Sequence, residues 1–152
     1  MEIIDNSSVQ NLLEIEKIKA LKATYCRFVD TKQWEAFGKL LVEDVQLTFK
    51  DPKGDVLYSF NSSEEMVQLT ASVLSNAVTV HHVHNPEIEI LSASEARAIW
   101  ALEDIIIFPD GADAPFKTMH GYGHYHETLV KIRNEWKIKT LTLERLKLEH
   151  TF

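Results

Sequence analysis

Residues 81 to 85 read HHVHN, three histidines and an asparagine in five positions. Imidazole changes charge near neutral pH and is the commonest metal ligand, so such a run can move protons or hold an ion. The flanks decide how it divides. Ala77-Val78-Thr79-Val80 is rich in β-branched residues, and Pro86-Glu87-Ile88-Glu89-Ile90 alternates, so the stretch reads as one strand. Side chains on a strand point alternately to its two faces. His81, Val83 and Asn85 then share one face, and His82 and His84 share the other. Only one group can face a pocket. On an apolar strand His81 is either a satisfied core residue or a general base.

A second run, HGYGHYHE at 120 to 127, sets His120, Tyr122, His124 and His126 on one face and Gly121, Gly123, Tyr125 and Glu127 on the other. The glycines imply a close backbone approach or a bulge. The H-x-H spacing invites a metal reading, but Glu127 follows at once and no third strand supplies an evident ligand. These histidines are expected to face solvent or a subunit, with no metal bound.

Asp104 stands in IWALEDIIIF, where Glu103 and Asp104 must face opposite ways. If Asp104 points inward it does so with Trp100, Leu102 and Ile106. A buried carboxylate without a partner is costly, so Asp104 should be protonated, paired or functional. Arg145, in LERL, could pair with Asp104, bind an anionic group of a substrate, or form a surface ion pair. Asp30 ends a long helical pattern, where the macrodipole disfavours a carboxylate by roughly 0.3–1 kcal/mol. It either caps the next helix with Gln33 or has a partner elsewhere. Tyr25 is either a core aromatic or a phenol that donates to a developing oxyanion.

These residues need elements to hold them. Leu12, Leu13, Ile15, Ile18, Leu21, Tyr25, Phe28 and Val29 follow helical spacing, predicting an amphipathic helix over about 9 to 30. Trp34, Phe37, Leu40 and Leu41 predict a shorter helix, with Asp30 or Thr31 as its cap. Val45 to Phe49 and Val56 to Phe60 read as strands around the turn Asp51-Pro52-Lys53-Gly54. Ser62-Ser63-Glu64-Glu65 is a capping box for a third helix through about Leu74. Strands follow at 77 to 91, 96 to 108, 119 to 133 and 135 to 147, the last two joined by a tight hairpin at Arg133-Asn134-Glu135. Helices set before a long antiparallel sheet mean α+β, with a pocket enclosed between sheet and helices.

The bulk numbers narrow the function. A chain of 152 residues, 45% hydrophobic, is expected to form a single domain, 1–152, with a sizeable core. A net charge of −7 argues against nucleic acid and against an anionic membrane surface. No apolar run is long enough to span a bilayer, and MEIIDNSSVQ lacks the regions of a signal peptide, so a cytoplasmic protein is expected. The single cysteine, Cys26, excludes an internal disulfide and reads as a buried structural thiol.

The order of elements, the opening YCRFVDTKQWEAFGKLLVEDVQLTF and the closing GHYHETLVKIRNEWKIKTLTLERLKL resemble the SnoaL-like branch of the nuclear transport factor 2 superfamily. The resemblance spans about residues 10 to 147 and is nearest to bile acid 7α-dehydratase, scytalone dehydratase and hexachlorocyclohexane dehydrochlorinase. It implies a cone-shaped, cystatin-like barrel: a curved antiparallel sheet wrapped around N-terminal helices. It also implies a cofactor-free lyase. Tyr25, Asp30, His81 and Asp104 match catalytic or pocket positions of those enzymes, and Arg145 falls near a pocket arginine. By that likeness His81 abstracts a proton, Asp30 supports it, Tyr25 stabilises the oxyanion, and Asp104 assists a leaving hydroxyl. Trp100, Leu102, Ile106, Phe108 and Phe28 would line an apolar wall for a small hydrophobic ring. A homotrimer is expected, with a homodimer second. An isomerase or polyketide cyclase would use the same proton abstraction, and the fold also serves non-enzymatic ligand-binding or assembly domains.

Overall fold

A computed structural model describes residues 6–152; the first half of the segment read above for a signal peptide lies outside the described residues. Three helices, α1 (Asn6–Asp30), α2 (Trp34–Gly38) and α3 (Ser63–Leu74), accompany six strands. These are β1 (Leu41–Lys50), β2 (Val56–Phe60), β3 (Val78–Ile90), β4 (Glu95–Ile107), β5 (Thr118–Ile132) and β6 (Glu135–Thr151). They form one sheet in the order β2-β1-β6-β5-β4-β3, which leaves β2 and β3 as edges. The architecture is the expected α+β arrangement, with two refinements. The sheet is open rather than a closed barrel, and it is mixed, because β1 runs parallel to β6 while every other pairing is antiparallel.

Local chemistry explains most boundaries. Ser62 caps α3 by accepting from the Glu65 amide at 3.1 Å, and the Glu65 carboxylate accepts from the Asn61 amide at 2.8 Å. The Asp51 carboxylate accepts from the amides of Lys53 and Asp55, closing the β1–β2 turn. Arg133 and Asn134 both have positive φ, the signature of the two-residue hairpin between β5 and β6.

Two expectations about the helices are corrected. Neither Asp30 nor Thr31 caps α2; Gln33 holds that position without a side-chain bond, and Leu41 already belongs to β1. Instead α1 ends in a Schellman motif. The Gln33 amide donates to Phe28 O and the Lys32 amide to Val29 O, with Lys32 at φ 60°. The buried stripe of α1 also differs from the apolar one: Leu12 and Leu13 are exposed, whereas Glu14, Ile18, Lys22, Tyr25 and Val29 face the protein. Two charges can lie on that stripe because each meets an opposite charge, and the carboxylate of each pair also accepts from an indole N–H. Glu14 joins Lys131 and Trp136, and Lys22 joins Glu127, which also accepts from Trp100.

The inner face of the sheet carries the core. Trp100, Leu102, Tyr125, Leu129, Ile138, Leu141 and Leu143 pack with Ile18, Tyr25 and Val29 of α1 and with Phe37. Register irregularities adjust this face. One falls after His84, where Asn85 adopts φ 44° and is exposed, so Asn85 leaves the face it was expected to share with His81. Another lies between Tyr122 and Gly123, opposite the extra residue Leu146. Arg145, which precedes that extra residue, continues the inward row of Leu141 and Leu143.

Candidate active site

His81 lies on edge strand β3, with its side chain 9% exposed, directly across from Asp104 on β4. Its Nδ1 is 2.7 Å from Asp30 Oδ1, and its backbone N–H donates to Asp30 Oδ2 at 2.9 Å. One residue thus engages both oxygens of one carboxylate. The Thr79 hydroxyl donates to Asp30 Oδ1 at 3.0 Å and accepts from Lys32 Nζ at 2.9 Å. Burial alone would raise the pKa of the Asp30 carboxyl, but the bonds and charge of His81 and the Thr79 hydroxyl outweigh it and hold it below the usual value. An ionised carboxylate only accepts, so Nδ1 carries a proton, and in the neutral imidazole Nε2 is the nitrogen with the lone pair.

Behind Nε2, at 3.9 Å, stands Asp104 Oδ2, beyond hydrogen-bond reach. Asp104 is buried and gripped by the Arg145 fork, Nη2 to Oδ2 at 2.8 Å and Nη1 to Oδ1. Burial opposes the Arg145 charge, but the bonds it donates to Asp104 and the carboxylate's charge prevail, and the Arg145 pKa rises further. The strand alternation required Glu103 and Asp104 to face opposite ways; Asp104 is the one that points inward, with Trp100 and Leu102 buried beside it and Ile106 half-buried. The structure also shows the pairing with Arg145. Gly121 makes the pair possible: a Cβ there would stand 2.6 Å from Asp104 Oδ1 and collide with Arg145 Nη1. A Cβ at Gly123 would strike the Glu144 carbonyl, beside the register shift.

An open cavity of about 590 Å³ lies between the last turns of α1 and β3. Asp30, His81 and Cys26 line it, with Ala23, Arg27, Thr31, His82, Val83 and His84. Burial above all pushes the Cys26 thiol up to about 11, which fits an inert thiol rather than a nucleophile. Tyr25 is 2% exposed, edge-on to Phe37 and to Tyr125. Burial first, then the charges of Glu127 and Asp104 among others, pushes its phenol well above the ordinary range, so it stays a neutral O–H. Trp100 and Leu102 belong to the packed core, Phe28 rests against it, and Ile106 is half-buried on β4. None of these apolar residues lines this cavity.

Two residues that support Asp30, Thr79 directly and Lys32 through the Thr79 hydroxyl, went unnoticed in the sequence. Thr79 was detectable, because it shares the phase of His81 and Val83 on β3. Lys32 gave no signal, since its position depends on a left-handed backbone that glycine would more often supply. On the outer face of the sheet, His120 pairs with Glu103 at 2.8 Å and His126 with Glu144 at 3.4 Å.

The chain matches the model of the SnoaL-like domain over residues 10–142. A Gibberella zeae protein named probable cyclase is 31% identical over 137 residues, covering 85% of this chain and 89% of that one. Among solved structures, a scytalone dehydratase-like protein from Novosphingobium aromaticivorans superposes with a TM-score of 0.77 at 21% identity, over 93% of this chain and 90% of its own. A hexachlorocyclohexane dehydrochlorinase of Novosphingobium barchaimii does so with a TM-score of 0.75 at 16% identity, over 93% and 92%. The two structures share the fold, and the family match covers most of the sequence. This chain belongs to the SnoaL-like family of the nuclear transport factor 2 superfamily.

Proposed function

We propose that the protein is a cofactor-independent lyase, a dehydratase of a hydrophobic cyclic hydroxy-ketone, with His81 as its base. The observation that carries this reading is the Asp30–His81 pair: a 2.7 Å bond to Nδ1 on a carboxylate whose other oxygen is fixed by the same residue's amide. That arrangement sets the tautomer and leaves Nε2 to take a proton acidified by a neighbouring carbonyl. The electron pair moves into an enolate; Tyr25, a neutral phenol in the core and not part of the cavity lining, would donate to it only where the substrate reaches beyond that lining. The imidazolium, flanked by Asp30 and the more distant Asp104, then protonates the β-hydroxyl, which departs as water while the enolate collapses to the enone. Arg145 occupies both oxygens of Asp104, so Asp104 acts through its charge or a held water rather than as an acid.

A cyclase or isomerase is the second reading, favoured by the name of the Gibberella zeae relative. A panel of cyclic β-hydroxy-ketones incubated in D2O separates the two. A dehydratase yields conjugated enone, while an isomerase or cyclase-type base exchanges α-protons without losing water. Neither change with any member of the panel would sink the enzyme reading and favour a binding domain. In either enzymatic case His81→Ala should stop the reaction. A cytoplasmic homotrimer remains part of the proposal. Light scattering should return three times the 17.4 kDa chain mass, and a monomer would count against it. No helix among the described residues is long and apolar enough to cross a membrane.

A further inference from the structure

The outer face of β3 and β4 carries a group that the His81 chemistry does not use. His82 and His84 are two residues apart on β3 and point outward together, away from His81. Glu103, the cross-strand partner of His82 on β4, points to the same side because Asp104 points inward. One ligand atom from each of these three residues lies within 4.8 Å of the other two. Zinc bound at roughly 2.0–2.2 Å by nitrogen and oxygen in a tetrahedral shell would set its ligand atoms about 3.4 Å apart. Exposed imidazoles on adjacent pleats can close that difference by turning about their side-chain bonds. The sequence had suggested no third ligand; it was hidden because Glu103 follows in the chain after the hairpin that brings β4 beside β3.

A second observation strengthens the group. His120, on β5, bonds Glu103 Oε1 through Nε2 at 2.8 Å. A carboxylate already held by a neighbouring imidazole is oriented in the way that outer partners orient metal ligands. Two imidazoles and one carboxylate form a neutral-nitrogen and oxygen set suited to borderline first-row divalent ions, and their exposure leaves room for water to complete the shell. Calcium and magnesium, which want all-oxygen shells, fit poorly.

We infer that His82, His84 and Glu103 form a binding site for one divalent transition-metal ion of the zinc type, on the outer face of the sheet and positioned by His120. His82 and His84 also border the cavity that Asp30 and His81 line. The three ligands are nevertheless on the opposite face of β3 and β4 from His81 and Asp104, so separate variants test the metal site and the proposed base.

The test is calorimetric titration of untagged, metal-free protein with zinc chloride, together with the visible absorption of the cobalt-loaded form. One equivalent should bind with a dissociation constant in about the micromolar range, and cobalt should show the d–d bands of a nitrogen-ligated ion. His84→Ala and Glu103→Gln should each weaken binding by at least about 10-fold, and His120→Ala by about 10- to 100-fold. His126→Ala, on the same face but outside the group, should bind as the parent does. Circular dichroism checks that each variant is folded. Binding weaker than about 0.1 mM, binding that survives in a folded His82→Ala/His84→Ala protein, or binding lost only with His126→Ala would each overturn the inference.

Discussion

Two of the clusters of charge on the inner side of this protein are built from similar parts. Lys22 and Glu127 meet with both side chains 1% exposed. The ammonium lies over the rings of Tyr25 and Tyr125 at 4.0 and 3.8 Å, and Trp100 donates to the carboxylate at 3.0 Å. Toward the edge of the sheet, Asp30, His81, Asp104 and Arg145 form a longer array whose Asp30 end opens into the cavity. The first cluster is sealed and every charge has a partner, which suits it to structure. The second leaves one imidazole nitrogen turned to a neighbour too distant to bond, which suits it to chemistry. Solvent access and one spare lone pair separate the two roles more than residue type does.

Substitutions should pull this contrast apart, most strongly at the open cluster. His81→Ala is expected to abolish turnover while shifting the melting temperature by only about a few degrees. Asp30→Asn should lower activity roughly 10²- to 10⁴-fold by disturbing the tautomer, and the double variant should be barely worse than either single one. Steady-state rates and melting curves on the same samples check both halves. Equal damage from His82→Ala or His84→Ala would mean that the faces of β3 divide their roles differently.

At the sealed cluster the expected effect falls on stability. Lys22→Met strands a buried carboxylate and should cost about 3–5 kcal/mol, lowering the melting temperature on the order of 10 °C. Lys22→Met combined with Glu127→Leu should regain much of that loss, because two apolar groups avoid the desolvation of two ions. Denaturant titration of the single and double variants measures the difference. A double variant no more stable than the single would show that the pair contributes more than its burial costs.

Gly121→Ala probes the seam between the clusters. The added methyl must displace Arg145 or Asp104, at a cost of about 1–3 kcal/mol, and activity should fall with it. A variant with unchanged stability and rate would remove Arg145–Asp104 from the site.

The smallest effect concerns Glu14, far from the cavity. Bonds from Lys131 and Lys17 hold its carboxyl at about 2, against an ordinary value of 4.5. Folded protein therefore binds fewer protons here than unfolded protein does. The stabilisation is complete above about pH 4.5 and disappears as pH falls toward 2. Melting temperatures of the parent should fall more steeply through that window than those of Glu14→Gln, and parallel curves would refute the assignment.

Much of this arrangement was legible in the residue pattern. The alternation around Glu103 and Asp104 required one acid to point inside, the paired glycines of HGYGH pointed to a close approach or a bulge, and Ser62 marked the start of α3. What escaped was whatever depends on contacts distant in sequence. The charged stripe of α1 looked wrong for burial until Lys131, Trp136, Glu127 and Trp100 arrived from the sheet. The parallel pairing of β1 with β6 has no local signature, since both strands alternate as antiparallel ones do. The fate of Asp30 was undecided for the same reason: a helix-terminal aspartate is a plausible cap until Thr79 and His81 are placed beside it.

The edge position of β3 has a consequence for how this protein can assemble. Within a sheet, an amide on an interior strand is committed to a neighbouring strand; the amide of His81 binds Asp30 because, among the described residues, no strand lies beyond β3. Growth of the sheet through that edge, whether by a second copy or by a captured peptide, would compete for the same hydrogen. An oligomer that keeps the dyad intact must therefore join through other surfaces, and a peptide able to zip onto β3 would act as an inhibitor without ever entering the cavity.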